Sequence, residues 1–454
     1  MAPEAPAPDG RELLRLAVPA SLAIASEPVL NIADTAMIGH LGVEPLAAKA
    51  IATSLIGAVV WIFAFLIFGT TSLVASQYGS RNYAACGEIF RHALVLGVGG
   101  GLAVASLLFL FAAELYALMG ATPAVAAQGV PYFRIRCATI PMLFSIYAAV
   151  GFLRGIQNTF SPMLVAFLMS GVNIVLDYAL IYGGFGFPAL GLRGAAVAAV
   201  AGHALGILLY MRLLFFSDYT GLYQLMSRKL HLRRFRNISR IAGHLAVRTA
   251  GLRLSLVFAT AMVARMGPVY LAAYEIVFQL FIFCSDTIDG LAVAGQTLVA
   301  RHLGAGDVGR ARRLGRMLLV WGCAGGAVFG AAYLTLQEPL LALFTASEAV
   351  KGVVRTEAFL LLAVFQPLNG IAFALDGFIL GAHDTRFLMW AMLAGGLLLF
   401  VPLTGLAYHL ELGLFGVWAG FSLFMVQRVA ANLWRLFSRR WEGAFAAYHA
   451  GRGG

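Results

Sequence analysis

The sequence predicts an all-α polytopic membrane protein of twelve transmembrane helices, on the basis of its composition, its loop charges and an internal repeat. Of the 454 residues, 61% are apolar and only 12% are charged, and the mean hydropathy is +0.85. A soluble domain holds about 25% charged residues, and a soluble protein this apolar would expose large apolar patches. At roughly 20 apolar residues per span, the apolar content is enough for about ten to twelve helices.

Apolar windows separated by polar breaks place these helices along the chain. Their predicted ranges are about 13–38 (α1), 46–76 (α2), 92–117 (α3), 127–151 (α4), 161–183 (α5), 190–215 (α6), 241–265 (α7), 270–299 (α8), 315–337 (α9), 352–380 (α10), 386–409 (α11) and 413–437 (α12). Residues 1–12 are a Pro/Ala-rich stub that we expect to be disordered. No cleavable signal is predicted, because the apolar run from Leu13 is too long for one.

Basic residues concentrate in alternate loops, which predicts that both termini are cytoplasmic and that the number of spans is even. The formal charge of +11 therefore reflects membrane topology, and no nucleic-acid partner is expected. The four cysteines are far apart and indicate neither a metal site nor a disulfide framework. The basic loop residues are Arg81, Arg91, Arg154, Arg228, Lys229, Arg233, Arg234, Arg236, Arg240, Arg301, Arg310, Arg312, Arg313, Arg316 and Arg386, followed by Arg435, Arg439, Arg440 and Arg452.

The two halves of the chain repeat each other at an offset of 225 residues. Residues 36–42 (AMIGHLG) match residues 261–267 (AMVARMG), and residues 115–125 match residues 340–350 in the same register. One inserted residue later, Gly151 and Gly155 match Gly377 and Gly381. The sequence thus predicts an N-lobe (13–215), a basic cytoplasmic connector (216–240), a C-lobe (241–437) and a cytoplasmic tail (438–454).

An even number of helices in each half makes the two repeats parallel. Two such six-helix lobes enclose a central cavity that can open to either side of the membrane, which favours a transporter. No phosphate-binding loop and no HExxH motif occurs, so neither an enzyme nor an ATP-driven pump is predicted. A receptor or scaffold is disfavoured, because no soluble signalling domain is present and such a protein has no evident need for the duplication.

Charged residues inside spans are costly, so each is a candidate functional residue. In α1, Glu27 and Asp34 are seven residues apart and share a face. Pro28 between them is expected to weaken or bend the helix. In α5, Asn173 and Asp177 share a face at i and i+4. If α1 and α5 are neighbours, Asp34, Asp177 and Asn173 form one pocket.

Two carboxylates in a low-dielectric pocket cannot both stay ionised cheaply. Such a pair takes up a proton, or holds a sodium ion through several oxygens, and either event cancels the charge that binds a cationic substrate. Cargo and coupling ion then compete for the same groups. In the repeat, Asp34 falls opposite Ala259, and Asp177 falls opposite Pro402 or Leu403. The carboxylates are therefore additions to one lobe, and protons are favoured over sodium as the coupling ion.

The C-terminal half has candidates of its own. Asp286 and Asp289 in α8 form either a second site or buried ion pairs with Arg248 and Arg253 of α7, and pairing is favoured. Asp376 in α10 and Glu275 in α8 are candidates for function or for packing. Aromatic residues can hold a lipophilic cation by cation–π contact, and the candidates are Tyr147, Phe152, Tyr178, Phe281 and Phe283.

The runs Asp34–Leu41 (DTAMIGHL), Asn173–Asp177 (NIVLD) and Leu375–Ala382 (LDGFILGA) resemble those of the multidrug and toxic compound extrusion (MATE) transporters. The resemblance covers essentially the whole chain and is greatest to the DinF branch. It implies export of lipophilic or polyaromatic organic cations by proton or sodium antiport. It also implies that Asp34 is the coupling residue, that Asp177 and Asn173 complete the site, and that α1 bends at Pro28.

The sequence departs from the NorM branch of that family at one important position. That branch carries a glutamate in α7 for cation binding, where this sequence has Leu252-Arg253, so a sodium site in the C-lobe is in doubt. The resemblance implies a monomer in a bacterial inner (plasma) membrane, with no cofactor beyond the coupling ion. A lipid-linked precursor flippase of the same superfamily remains the alternative, although flippases usually have about fourteen spans and a strongly cationic cavity.

Overall fold

A computed structural model describes residues 10–227 and 232–450, with side chains over 10–227 and 239–446. Within these residues, twelve helices are long and apolar enough to cross a membrane, so the predicted all-α class and span count are confirmed. The helices are Gly10–Gly39 (α1), Val43–Gly79 (α2), Tyr83–Leu110 (α3), Pro123–Gly155 (α4), Phe160–Tyr182 (α5), Leu192–Phe215 (α6), Leu232–Met266 (α7), Pro268–Gly304 (α8), Val308–Thr335 (α9), Glu348–Gly381 (α10), Thr385–His409 (α11) and Gly413–Phe437 (α12).

Several spans are interrupted. In α2 the helix breaks between Val43–Phe63 and Phe65–Gly79, and in α4 between Pro123–Cys137 and Thr139–Gly155. Wider π-type turns occur at Val354–Ala358 in α10 and Ala394–Phe400 in α11. By contrast, α1 is helical without interruption through Pro28. Short helices outside the spans are Ala112–Leu118, Tyr219–Leu222, Gln337–Phe344 and Arg440–Ala450, the last in the predicted tail.

Packing divides the chain into two compact units, which we call the N-terminal unit (Leu22–Ala242) and the C-terminal unit (the described residues of Gly243–Gly454 and Met1–Ser21). Helix α1 therefore contributes to both, whereas the prediction placed it wholly in the N-lobe. Its first turns pack on α8, where a Cβ on Gly290 would lie 2.0 Å from Ser21 Oγ. Ser21 Oγ donates a hydrogen bond to the Thr287 carbonyl (2.8 Å), and Glu12 pairs with Arg301 at 2.7 Å.

Parts of the predicted terminal and connector segments lie outside the described residues. Residues 1–9 of the expected disordered stub are among them, while residues 10–12 already belong to α1. Of the basic loop residues, Arg228, Lys229 and Arg452 lie outside the described residues, as do the side chains of Arg233, Arg234 and Arg236.

The repeat is visible in the packing of each unit. In the N-terminal unit, a Cβ on Gly155 of α4 would lie 2.5 Å from Val74 Cβ of α2. In the C-terminal unit, a Cβ on Gly381 of α10 would lie 2.9 Å from Val299 Cβ of α8. These residues correspond in the two halves at the offsets that align the sequences. The aligned glycines therefore allow the same close helix contact in each of the two units.

Helix starts repeat as well. Asn82 caps the first turn of α3, where its side chain accepts a hydrogen bond from the Ala85 amide (3.2 Å). Its counterpart Asp307 caps α9 in the same way through the Arg310 amide (2.8 Å). Such caps satisfy amide donors that have no partner inside the helix.

The interior of the C-terminal unit contains an aromatic cluster. Phe281, Trp418 and Phe421 pack edge to face, with ring centroids 4.9 Å apart for Phe281–Phe421 and 5.2 Å apart for Trp418–Phe421. On the outside, large apolar side chains such as Val328 and Leu398 are exposed. Exposed apolar side chains are expected where lipid is the solvent, because lipid tails are as apolar as leucine.

Candidate functional site

In the N-terminal unit, Asp34 of α1 forms an ion pair with Lys49 of α2. The Lys49 ammonium lies 2.8 Å from Asp34 Oδ2 and donates a hydrogen bond to Thr35 Oγ1 at 2.7 Å. Lys49 is only 6% exposed. The other carboxylate oxygen of Asp34, Oδ1, is buried and has no hydrogen-bond partner among the described residues. Asp34 thus has one occupied and one unoccupied oxygen.

Asp177 of α5 is buried more deeply, at 1% exposed. Both of its carboxylate oxygens are buried without a hydrogen-bond partner in the part of the chain that the structure describes. Asn173, one helical turn earlier, is also buried and faces α6, where a Cβ on Gly202 would lie 3.3 Å from Asn173 Nδ2. The glycine leaves room for the amide.

The structure brings α1 and α5 together. The Tyr182 hydroxyl at the end of α5 donates a hydrogen bond to the Met37 carbonyl of α1 at 2.6 Å. The charged side chains within electrostatic range of Asp177 are Asp34, Arg136 and Lys49. Asp34 and Asp177 therefore share one polar region of the N-terminal unit, together with Asn173. Their unpartnered oxygens and the Asn173 amide oxygen are the type of ligand that hard cations take.

Two basic residues modify the predicted site. Arg136 of α4 lies in electrostatic range of Asp177 and of Tyr132 on the same helix, and its Nε is buried without a partner among the described residues. Lys49 was missed by sequence reasoning, although a lysine inside a predicted span is itself a signal. Its place near the start of α2 is typical of lysines that extend to the membrane surface.

The remaining candidates of the N-terminal unit are Glu27, Tyr147 and Pro28. Glu27 is exposed, and Arg136 and Tyr147 are both within electrostatic range of it. Tyr147 of α4 is half-buried and stacks on Phe144 with ring centroids 6.3 Å apart. Pro28 is exposed within the uninterrupted α1.

In the C-terminal unit, Asp376 is the centre of a buried polar network. Its Oδ2 pairs with Arg428 of α12 at 2.7 Å and also with Arg248 of α7. Its Oδ1 accepts a hydrogen bond from Asn432 of α12 at 2.8 Å. The Arg428 guanidinium lies over the Phe373 ring, 4.6 Å from the centroid. Asp376 therefore joins three helices and has its hydrogen-bonding capacity largely filled.

The acidic residues of α8 differ from Asp376 in their partners. Arg248, expected to pair with Asp286 or Asp289, instead pairs with Asp376, because α10 presents that carboxylate directly to it. Asp289 is half-buried and makes no hydrogen bond or ion pair with any described residue. Glu275 is exposed and accepts a hydrogen bond from Gln279 at 3.1 Å.

A duplicated twelve-helix membrane protein with a buried carboxylate in each half has the architecture of a membrane transporter. A family model described as MatE matches residues 19–179 and 245–405, one match in each half of the chain. The chain belongs to this family, the multidrug and toxic compound extrusion transporters, whose members are transporters and not enzymes.

Related proteins cover nearly the whole chain. It is 31% identical to Protein DETOXIFICATION 44, chloroplastic, from Arabidopsis thaliana, over 95% of this chain and 82% of that protein. It is 27% identical to DNA damage-inducible protein F from Escherichia coli strain K12, over 96% and 94%. A solved multidrug resistance MATE family transporter of the MOP superfamily, in an outward-facing conformation, has a TM-score of 0.86 at 22% identity, covering 96% of each chain. The likeness confirms the fold.

Proposed function

We propose that this transporter exports lipophilic or polyaromatic organic cations in exchange for protons. Asp34, Asp177 and Asn173 form the site that cargo and protons share. The proposal places the protein in a plasma (inner) membrane with both termini in the cytoplasm, in keeping with its basic loops. The observation that supports it most is the Asp177 carboxylate, buried with both oxygens unpartnered in the described part of the chain.

The physical reason is the cost of an isolated buried charge. An ionised carboxylate removed from water without a partner costs several kcal/mol or more, so in practice it is neutralised. Either a proton on the carboxylate or a cation beside it does this. A group that requires one of two positive partners is suited to exchange them.

Exchange then follows from competition. A proton that arrives at Asp34 or Asp177 removes the negative charge that holds a cationic cargo, and the cargo is released. A cargo that arrives from the other side of the membrane displaces the proton in turn. Alternating access between the two sides converts this competition into antiport, as expected for a chain built from two parallel repeats.

Sodium is the second candidate coupling ion. The observation that favours it is Asn173, whose amide oxygen lies one helical turn from Asp177 and adds a neutral ligand to the carboxylates. Protons are preferred, because the site offers few neutral oxygen ligands and already contains the basic groups Lys49 and Arg136.

Reconstitution into liposomes tests the proposal. Accumulation of radiolabelled tetraphenylphosphonium is measured with a pH gradient or a sodium gradient imposed separately. We expect the pH gradient alone to drive transport and Asp34→Asn to abolish it. Glu275→Gln is the matched control, because it removes an exposed carboxylate of α8 and should transport normally. Undiminished transport by Asp34→Asn contradicts the mechanism, and transport driven only by sodium identifies the other ion.

A further inference from the structure

Lys49 is an unusual feature of the candidate site. Lysine is rarely buried unless it is paired, yet Lys49 is 6% exposed inside a membrane helix. Its ammonium binds Asp34 Oδ2 at 2.8 Å and Thr35 Oγ1 at 2.7 Å, so two consecutive residues of α1 hold it. These are its hydrogen-bonding partners among the described residues. The ion pair therefore occupies one of the two carboxylate oxygens of Asp34 and leaves Oδ1 without a partner among the described residues.

The repeat shows that the pair belongs to the site and not to the six-helix framework. At the offset of 225 residues, Asp34 corresponds to Ala259 and Lys49 corresponds to Tyr274. Both counterparts are buried in the C-terminal unit, at 0% and 4% exposed. The duplicated framework therefore packs without either charge.

The charges of the region also indicate that Lys49 belongs to the site. Asp34 and Asp177 supply two negative charges, and Lys49 and Arg136 supply two positive charges, so the four groups balance when all are ionised. Asp34 is then paired internally in the empty site, and its carboxylate does not have to be carried across the membrane as an isolated charge. A proton or a cargo cation has to compete with an amine that is already in place.

We propose that Lys49 is the internal counter-cation of Asp34, which a coupling proton or a cationic cargo displaces. This inference rests on the proposed antiport. Lys49 acts as a positioning residue: it lowers the affinity of Asp34 for cargo, and it keeps the Asp34 carboxylate paired when cargo is absent. When Asp34 is neutralised, the Asp177 carboxylate is the anion that remains within range of the amine.

Other titratable and charged groups of the region lie on α1, α4, α5 and α6. Tyr132 of α4 is in electrostatic range of Asp34, and Asp177 of α5 is in range of both members of the pair. Glu27 of α1 and His203 of α6 are in range of Arg136. His203 is the group that titrates nearest neutrality when unperturbed. Its Nδ1–H donates a hydrogen bond to the Ala199 carbonyl oxygen at 2.8 Å. His203→Gln therefore serves as a control for the pH dependence.

The test measures equilibrium binding of radiolabelled tetraphenylphosphonium to the purified full chain in detergent as a function of pH. In Lys49→Met, cargo no longer competes with the amine, so binding at the high-pH plateau should be at least about tenfold tighter. Because the amine and a proton would compete for the same carboxylate oxygen, the midpoint of the binding profile should differ between Lys49→Met and the wild type.

Two further variants make the result decisive. Lys49→Arg keeps the positive charge and should keep the wild-type midpoint, as should His203→Gln. Lys49→Gln removes the charge but retains a donor for Thr35, and it repeats the test if Lys49→Met elutes as aggregate from size exclusion. Wild-type affinity and midpoint in the neutral variants would overturn the inference, even while Asp34→Asn still abolishes transport. If the wild-type chain neither binds nor transports the probe, the proposed function fails instead.

Discussion

Asp376 and Arg428 form an ion pair inside the C-terminal unit, with 2.7 Å between Oδ2 and Nη2 and both side chains 7% exposed. Arg248 shares the same carboxylate oxygen, and Asn432 donates to the other. One acidic residue therefore neutralises two buried guanidinium groups from helices that flank α10. Both oxygens of Asp376 thus have partners, in contrast to those of Asp177, which have none among the described residues.

Replacement of Asp376 by asparagine should destabilise the protein strongly. The variant keeps the shape of the side chain but leaves two buried arginines without their shared counter-ion. Removing one partner of a buried ion pair costs roughly 3–5 kcal/mol. The measurement is thermal unfolding of purified protein in detergent, where the variant should unfold at a clearly lower temperature and be recovered in lower yield.

The control for this experiment is Asp289→Asn in the neighbouring helix α8. Asp289 makes no hydrogen bond or ion pair with a described residue and is only in electrostatic range of the two arginines, so its loss should lower the free energy of unfolding far less than the loss of Asp376. An Asp376→Asn variant as stable as the control would show that the arginines do not depend on this carboxylate.

Helix packing in the C-terminal unit should be sensitive to one glycine and insensitive to its neighbour. A Cβ on Gly326 of α9 would lie 2.1 Å from the Gln366 carbonyl oxygen of α10, which is backbone and cannot move aside. Gly326→Ala should therefore cost about 1–3 kcal/mol through overpacking. A Cβ on Gly325 would meet nothing within 4 Å. Gly325→Ala should be neutral or stabilising by about 0.5–1 kcal/mol, and equal unfolding temperatures for both variants would contradict the close approach.

The fold was largely predictable because the bilayer imposes long apolar runs that the sequence shows directly. All twelve spans lie where the apolar windows placed them, although the ends differ by several residues; α1, for example, begins at Gly10. The breaks at Ala64 and Ala138 were not predictable, since alanine favours helix. The division of α1 between two units depends on contacts of Ser21 with residues more than 250 positions away.

The candidate site was predictable only in part. Asp34 and Asp177 stand out in sequence because charges are rare inside spans. Lys49 does not, because a lysine near a helix end ordinarily reaches water. Likewise Asp376 was a candidate for function or packing, and the sequence did not show that Arg248 and Arg428 approach its carboxylate from other helices. The spacing of residues within one helix does not predict which residue of a distant helix pairs with them.

A pH-dependent contact outside the spans is expected at Glu338. Arg355 donates hydrogen bonds to both carboxylate oxygens, at 2.8 and 2.7 Å, and these bonds hold the pKa of Glu338 below its usual range. Because the pKa is lowered in the folded protein, the pair contributes stability above the usual pKa and loses it as pH falls through the lowered value. Arg355→Gln should raise the pKa of Glu338 toward its usual value.

This shift can be measured by titration of ¹³C-labelled glutamate in micelles. Lys351→Gln, which removes the cation paired with Glu348 and leaves the Arg355 hydrogen bonds in place, is the control and should change the Glu338 titration far less. The stability effect itself should be small, since exposed ion pairs contribute little. An unchanged Glu338 titration in Arg355→Gln would show that the bidentate contact does not form in solution.

Asp177→Asn separates the role of this carboxylate in transport from any role in folding. The asparagine has nearly the same shape, and no described residue loses a hydrogen bond, so the variant should unfold at or above the wild-type temperature. Transport of tetraphenylphosphonium under a pH gradient should fall at least about tenfold, because Lys49 and Arg136 are then opposed by Asp34 alone and a cationic cargo is repelled. Proteoliposome uptake and thermal unfolding are measured on the same preparation, with Glu275→Gln as the matched carboxylate loss. Normal uptake by a stable Asp177→Asn variant would remove Asp177 from the coupling site and leave Asp34 to act alone.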